Sequence, residues 1–443
     1  MQFGEIVRRN AFNALDAVRG GKLNKLLEVN KREIVDGVTE EYAERRLSLL
    51  LDYAARECPF YRGLKRSKEL KNFPVQNKSD FISRYETVLS DEFRPWREQL
   101  TKLSTSGSTG TPFTVLADPE KMNHVFMNFM SVMELNGFRL GMKRAEFRAW
   151  IKGKNTITGW HSFKNNLKMY DISNMGDAAL KDICRCIEKD GIQVLVMYSS
   201  ALTALTQYLK REPADTSKWQ VEMIFTMGEA CPAATRALAQ EVLGITPVLS
   251  YGNNENGFIA VSLPGESDYT VDLYNYFVEI LKMDSDEPAA EGELGRIVVT
   301  DYYNKAFPMI RYDTGDTGKM KTWTDARRRS HAKLTEIYGR RGSLLYNTKG
   351  EPLSIHVFMN TLLNFEGKVL QAKCVQTDLK KYTLTINPGK DFREEEVVAA
   401  YKKYLGEDAE VIVNYADELP IQQSGKTMVC ENRCEKYLGQ TGG

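Results

Sequence analysis

The chain has little that would commit it to a metal site or a disulfide scaffold. Seven cysteines and four histidines are scattered through 443 residues. The cysteines (Cys58, Cys184, Cys186, Cys231, Cys374, Cys430 and Cys434) are odd in number, and no CxxC spacing stands near a histidine. That argues against a disulfide framework and against structural zinc, and for a reduced, cytoplasmic chain. Charge of one sign is also lacking: 60 Lys and Arg against 59 Asp and Glu leave a net charge of +1. With no global field to hold a polyanion, nucleic acid is not an expected partner. A long apolar run is missing too. The longest uncharged stretch, Ile192 to Leu209, carries Gln193, Ser199, Ser200, Thr203, Thr206 and Gln207. It changes period partway, from a strand at Val194 to Met197 to a helix through Leu202, Leu205 and Leu209 capped by Ser199 or Ser200. No membrane span is expected. The first thirty residues mix Glu5, Asp16 and Glu28 with basic side chains and lack an apolar core, so they do not read as a signal peptide.

What is present is the composition of a globular chain, 42% hydrophobic and 27% charged, about three ordinary domain lengths long. Residues 1 to about 100 read as mainly helical, as in Glu40 to Arg56 with Leu47, Leu50, Leu51 and Ala54 on one face. Strand-like runs at Val194 to Met197, Met223 to Met227 and Pro247 to Tyr251 then alternate with helical ones, which predicts an α/β sheet with parallel crossovers. From Val271 to Tyr303 the period shifts toward two, predicting antiparallel structure. A boundary falls near Gly339-Arg340-Arg341-Gly342-Ser343. Beyond it, strands at Lys368 to Gln376 and Tyr382 to Asn387 precede a helix from Arg393 to Leu405, with Val397, Ala400, Tyr401 and Tyr404 inward. A strand at Glu410 to Asn414 closes a compact ββαβ unit. The fold class is α/β, with a large mixed-sheet domain at 1–338 and a small α+β domain at 339–443.

The densest chemical signal is Ser104-Thr105-Ser106-Gly107-Ser108-Thr109-Gly110-Thr111-Pro112, running into a strand at Phe113 to Leu116. Small hydroxyl residues around two glycines expose backbone N–H groups and short donors, which suits phosphate oxygens. A plain polar linker has the same composition. Neither a Walker A loop nor GxGxxG is present: no Lys follows Gly110, and Gly425-Lys426-Thr427 has Pro420 where a P-loop needs glycine. Three further segments stand out. Tyr251-Gly252-Asn253-Asn254-Glu255 follows an apolar strand, and alone it reads equally well as a turn. Phe307-Pro308-Met309-Ile310-Arg311-Tyr312-Asp313-Thr314-Gly315-Asp316 puts a carboxylate at Asp316 that can accept from two vicinal hydroxyls. Asp313 reads as an exposed or supporting carboxylate, and EF-hand spacing fails after it. Leu419 to Lys426 ends in a lysine that on its own would be a solvated surface residue.

Taken in order, these segments resemble the motifs of the adenylate-forming superfamily of acyl- and aryl-CoA ligases. Thr105 to Pro112 match its phosphate loop, with Thr111 where many members carry Lys. Tyr251 to Glu255 match its Y-G-x-[ST]-E, with Asn254 in place of the hydroxyl. Phe307 to Asp316 and Pro420 to Lys426 resemble its P-x-[IL]-R-Y-x-T-G-D and P-x(4)-G-K elements. Pro59-Phe60-Tyr61-Arg62 and Met227-Gly228-Glu229-Ala230 look most like the branch of phenylacetate-CoA ligase, CapK and coenzyme F390 synthetase-like proteins.

The resemblance implies a large AMP-binding domain and a small mobile one. It implies ATP-dependent formation of an acyl-adenylate with release of pyrophosphate, then transfer to coenzyme A. ATP, Mg2+ and coenzyme A are the implied cofactors, and a small carboxylic acid the substrate. Transfer to an amine or hydroxyl acceptor, or an inactive nucleotide-binding relic, are the alternatives. Implied nucleotide contacts are Thr105, Ser106, Gly107, Ser108, Thr109, Gly110, Gly228, Glu229, Tyr251, Gly252, Asn253, Asn254, Arg311, Asp316 and Arg340. Glu255 is the implied metal ligand, and Lys426 acts with it in catalysis. The acyl pocket is expected between Trp150 to Trp160 and the turns at Met227 to Ala230 and Tyr251 to Asn256, with Asn253 and Asn256 facing a polar acid. Nothing in the sequence distinguishes a monomer from a homodimer.

Overall fold

The computed structural model describes residues 3–64, 69–104, 113–148, 165–172, 175–213, 215–340, 344–353, 358, 365, 367–417, 419 and 430–434. Four segments expected to carry function lie outside the described residues: the loop 105–112, the segment 149–164, the boundary residues 341–343, and 420–429 with Lys426.

Helices dominate the first hundred residues, with Phe3–Val18, Lys22–Asp36 and Glu40–Glu57 the longest. The last starts because Thr39 accepts from the Tyr42 N–H and two glutamates occupy its first turn, and it buries Leu50, Leu51 and Ala54 as its spacing predicts.

The alternating region forms a four-stranded sheet in the order Leu167–Asp171, Arg144–Arg148, Val194–Tyr198, Met223–Met227, all parallel. Both faces of Val194–Tyr198 and Met223–Met227 are covered, which is why these two strands read as continuous apolar runs, whereas Arg144–Arg148 and Leu167–Asp171 carry charged residues. Leu195 and Ile224 pack with Leu180, Ile187, Leu202 and Leu205 of the helices Asp177–Asp190 and Ser199–Arg211. Val194, Val196 and Phe225 pack on the other side against Met127, Met130 and Met133 of the helix Pro119–Leu135.

An antiparallel sheet follows, in the order Tyr276–Leu281, Gly295–Asp301, Tyr312–Thr324, Arg329–Arg340, Tyr269–Val271, Gly257–Val261, Ser250–Asn253. Tyr276–Leu281 pairs antiparallel with Gly295–Asp301, where the period-two pattern placed such structure. The strand expected from Pro247 is shifted to Ser250–Asn253, because Val248 makes a parallel bridge to Phe225 before the chain enters the second sheet. The site described next lies at this crossing.

The C-terminal unit has its own core, including Leu345, Cys374, Tyr382, Leu384, Ile386, Val397, Tyr401 and Leu405. The expected ββαβ elements are there, joined by a strand not anticipated, Cys430–Asn432, parallel to Val369–Asp378. The helix Glu394–Leu405 buries Val397, Tyr401 and Leu405, one residue per turn, whereas Tyr404 is exposed. All seven cysteines are free thiols.

Candidate active site

The parallel strand Met223–Met227 leads into a turn at Gly228, whose φ of 73° suits a residue without Cβ. Next comes Glu229, whose Oε2 accepts the Ser200 N–H at 2.9 Å, and whose carbonyl accepts from Ser199 Oγ at 3.2 Å. The capping expected of Ser199 or Ser200 is therefore not made by their own side chains: Tyr198 is the N-cap residue and offers no cap hydrogen bond. Glu229 supplies the negative group from the neighbouring turn, where the helix dipole favours it. This arrangement sits beyond the C-terminal ends of parallel strands, the usual place for ligands in open α/β sheets.

The strand Ser250–Asn253 delivers the second motif. Tyr251 is buried, and its phenol lies 3.1 Å from Asp316 Oδ2 and 3.2 Å from Thr314 Oγ1. Burial, reinforced by the Asp316 charge, pushes the Tyr251 pKa well above its ordinary value, so the phenol stays a donor. A Cβ on Gly252 would stand 2.2 Å from the Gly257 carbonyl oxygen, so the hairpin closes only around glycine. Asn253 Oδ1 accepts the Asn256 N–H at 2.8 Å and shapes the turn. Asn254 Nδ2 donates to the Ser104 carbonyl at 3.0 Å. Ser104 ends the strand Thr101–Ser104, and its hydroxyl meets Thr114 Oγ1 at 2.8 Å, so the turn is tied to the base of the Ser/Thr/Gly loop. Glu255 is 5% exposed and accepts from the Tyr312 hydroxyl at 3.1 Å on Oε1.

The third motif is thereby joined to the second through two of its residues, Tyr312 and Asp316. Asp316 is half-buried and is the register partner of Arg340, the last residue of the strand Arg329–Arg340. Of the two places expected for Asp313 the structure has the supporting one: it is buried, Oδ2 takes Arg296 Nη1 at 3.0 Å and Oδ1 the Gly315 N–H at 2.9 Å. A second neighbour is placed differently from the expectation. Arg311, expected at the nucleotide, is 4% exposed and grips both oxygens of Glu279, at 3.0 and 3.1 Å, as well as the Phe73 carbonyl. Its guanidinium belongs to the scaffold, and its positive φ of 50° is held by a hydrogen bond from its own N–H to Thr300 Oγ1. Of the turn asparagines expected to face the acid, Asn253 and Asn254 make the bonds above and Asn256 is buried, while the segment expected to form the opposite wall lies outside the described residues.

Among the described residues, no group of three or more His, Cys, Asp or Glu side chains is placed to hold a metal, and no helix is long and apolar enough to cross a membrane. Glu255 would hold a hard cation through its carboxylate, and Mg2+ is ordinarily bound by one or two carboxylates with phosphate and water. A buried carboxylate braced by a phenol fits that chemistry. The Glu255–Tyr312 contact was missed in the sequence, because nothing local links residues 57 apart.

No family model matches the chain. The structure superimposes on 2-hydroxyisobutyryl-CoA ligase in its postadenylation state, with a TM-score of 0.68 and 14% identity over 90% of each chain. The chain has the adenylate-forming fold. In sequence it is 25% identical over 341 residues to phenylacetate-coenzyme A ligase of Thermus thermophilus, covering 72% of this chain and 73% of that protein. It is 19% identical over 407 residues to protein CapK of Staphylococcus aureus, covering 87% of each. These are the branch its motifs resemble.

Proposed function

We propose that the chain activates a small carboxylic acid with ATP and transfers the acyl group to coenzyme A. The observation that carries this reading is the convergence of three distant segments. Tyr251 reaches Asp316, Glu255 reaches Tyr312, and Asn254 reaches Ser104 at the base of the loop. A polar turn without function has no reason to gather a braced carboxylate, a ribose-type carboxylate and Ser104, the residue that leads into the Ser/Thr/Gly loop, at one sheet crossing.

A carboxylate does not react with a thiol at a useful rate, because oxide would have to leave. In the first step a substrate oxygen attacks the α-phosphorus of ATP and pyrophosphate departs. In the second, the thiolate of coenzyme A attacks the acyl carbon and AMP departs. Thr105 to Gly110 cradle the β,γ-phosphates, and Asp316 accepts from the ribose hydroxyls while Tyr251 fixes its orientation. Glu255 would hold the divalent cation, which when bound would offset charge on the phosphates. Lys426 brings an ammonium to the reacting oxygens, where positive charge is worth most as negative charge builds. The unit from 339 onward delivers Lys426 and then moves aside about 340–343 so that the thiol can approach.

The test is pyrophosphate release over a panel of acids, with and without coenzyme A. Acid-dependent release, with AMP and thioester formed only when coenzyme A is present, supports the reading. Acyl transfer to an added amine or hydroxyl compound without coenzyme A would favour the other acceptor class. No acid-dependent release from any member of a broad panel would refute both.

A further inference from the structure

Directly beneath the Tyr251 to Asn256 turn lies an ion pair that the proposed chemistry does not use. Lys121, in the first turn of the helix Pro119–Leu135, is 1% exposed. Its Nζ lies 2.5 Å from Asp301 Oδ2, itself 2% exposed, and donates to the Asn256 carbonyl at 2.7 Å. The Tyr276 hydroxyl donates to that same carbonyl at 2.7 Å, and the Lys121 ammonium stands 5.2 Å from the centre of the Tyr276 ring. Burying an ammonium with a carboxylate carries a desolvation penalty that the pair at best repays, and a well-packed apolar pair would hold the core as firmly. Stability alone therefore does not account for a charge here. Geometry does: two donors converge on one carbonyl, that of the residue following Glu255.

We propose that Lys121 is a positioning residue for the Glu255 carboxylate. The Glu255 side chain is braced at its tip by Tyr312, but its direction is set by the backbone of a tight hairpin. Lys121 and Tyr276 lock the Asn256–Gly257 peptide, and Asn253 Oδ1 takes the Asn256 N–H and so fixes the Glu255–Asn256 peptide, which leaves the two peptides that follow the Glu255 side chain held in sequence. Lys121 is itself immobile. Asp118 Oδ1 caps its N–H at 2.9 Å, while Oδ2 takes the N–H groups of Lys305 and Ala306. The helix follows the strand Thr114–Ala117 that leaves the Ser/Thr/Gly loop, so Lys121 couples the metal carboxylate to the base of the phosphate loop. This inference rests on the proposed role of Glu255.

The test is the Mg2+ concentration that half-saturates ATP–pyrophosphate exchange in the full chain, with thermal melting in parallel. Lys121→Met alone strands Asp301, so Lys121→Met/Asp301→Asn is the informative variant: it buries no charge and keeps the Asp301 Oδ1 acceptor for the Tyr303 N–H. We expect it to fold and to need roughly tenfold more Mg2+, with the KM for the acid unchanged, as for loss of one charge-assisted bond. Tyr276→Phe, which removes the second donor and leaves the core filled, should shift the requirement in the same direction, and it decides the matter if the double variant does not fold. A folded variant with wild-type Mg2+ dependence overturns the inference. Glu255→Gln is the control: if it too exchanges pyrophosphate normally, the reading of Glu255 has failed, whatever Lys121 does.

Discussion

Replacing Tyr251 by Phe removes one oxygen and leaves the ring in its place. The phenol is the donor that the structure sets against Asp316 Oδ2, at 3.1 Å. A hydrogen bond to a charged acceptor is worth ~1.5–3 kcal/mol net. Asp316 is half-buried, so water can take the vacated position, and the low end applies: about 1.5 kcal/mol, or about tenfold. That loss should appear as a rise in the KM for ATP in pyrophosphate exchange, with little change in urea midpoint. A ligand control sharpens it. If Asp316 binds the ribose hydroxyls and Tyr251 orients it, 2′,3′-dideoxy-ATP has no hydroxyl for the carboxylate to accept, and the penalty of Tyr251→Phe should vanish with it. A Phe variant whose KM for ATP stays within about twofold of wild type would refute the reasoning. So would an equal penalty with both nucleotides.

Arg311→Met leaves the Glu279 carboxylate buried without its guanidinium and should cost about 3–5 kcal/mol in urea unfolding, whereas Arg311→Met/Glu279→Leu should recover most of it with ATP binding intact. A stable double variant that no longer binds ATP would return Arg311 to the nucleotide site. Asp272 is held by Asn128 and Asn275 in a fully buried network, and burial pushes its pKa up to about 6. Its folded pKa lies above the unfolded one, so its stabilising effect is present below pH ~4 and declines by about 3 kcal/mol as pH rises through 6. Stability measured against pH should show that decline, and Asp272→Asn should remove it. Lys426→Ala should lower pyrophosphate exchange by about 10²–10³-fold with ATP binding retained, and near-wild-type exchange would exclude the role.

Elements whose formation is decided locally were legible in the sequence. The strand Met223–Met227 and the helix Glu40–Glu57 follow from run length, period and capping, and they lie within a residue of where those signals put them. What was not legible is pairing across the chain. The shift of the strand to Ser250 depends on Val248 finding Phe225, and the edge strand Cys430–Asn432 depends on Val369–Asp378 already being in place. Capping shows the same division. The cap at Asp118 is local, three residues from the N–H it accepts, whereas Glu229 caps a helix 29 residues upstream that offered two serines of its own. The site was legible as a set of motifs, because their residue types suit phosphate, ribose and metal wherever they occur. The distribution of roles within a motif was not, since Arg311 and Asp316 look equally suited to a nucleotide.

That distribution follows from the partners each side chain meets across the chain. The contacts of Tyr312, Thr314 and Asp316 to the second motif fall on Glu255 and Tyr251. Arg311 and Asp313 meet Glu279 and Arg296 in buried ion pairs instead. Simple alternation along a strand does not produce this division. Arg311 precedes the strand Tyr312–Thr324 with a φ of 50°, Gly315 has a φ of 80°, and the pairing with Gly295–Asp301 shifts register between Asp313 and Thr317. The irregular backbone is what lets neighbouring residues of one motif reach different surroundings, and charged anchors hold it. A buried arginine with two fixed hydrogen-bond directions on a carboxylate restricts that backbone more tightly than apolar contact would. The turn Asp313 to Asp316 is thereby kept in place while a ligand is exchanged beside it.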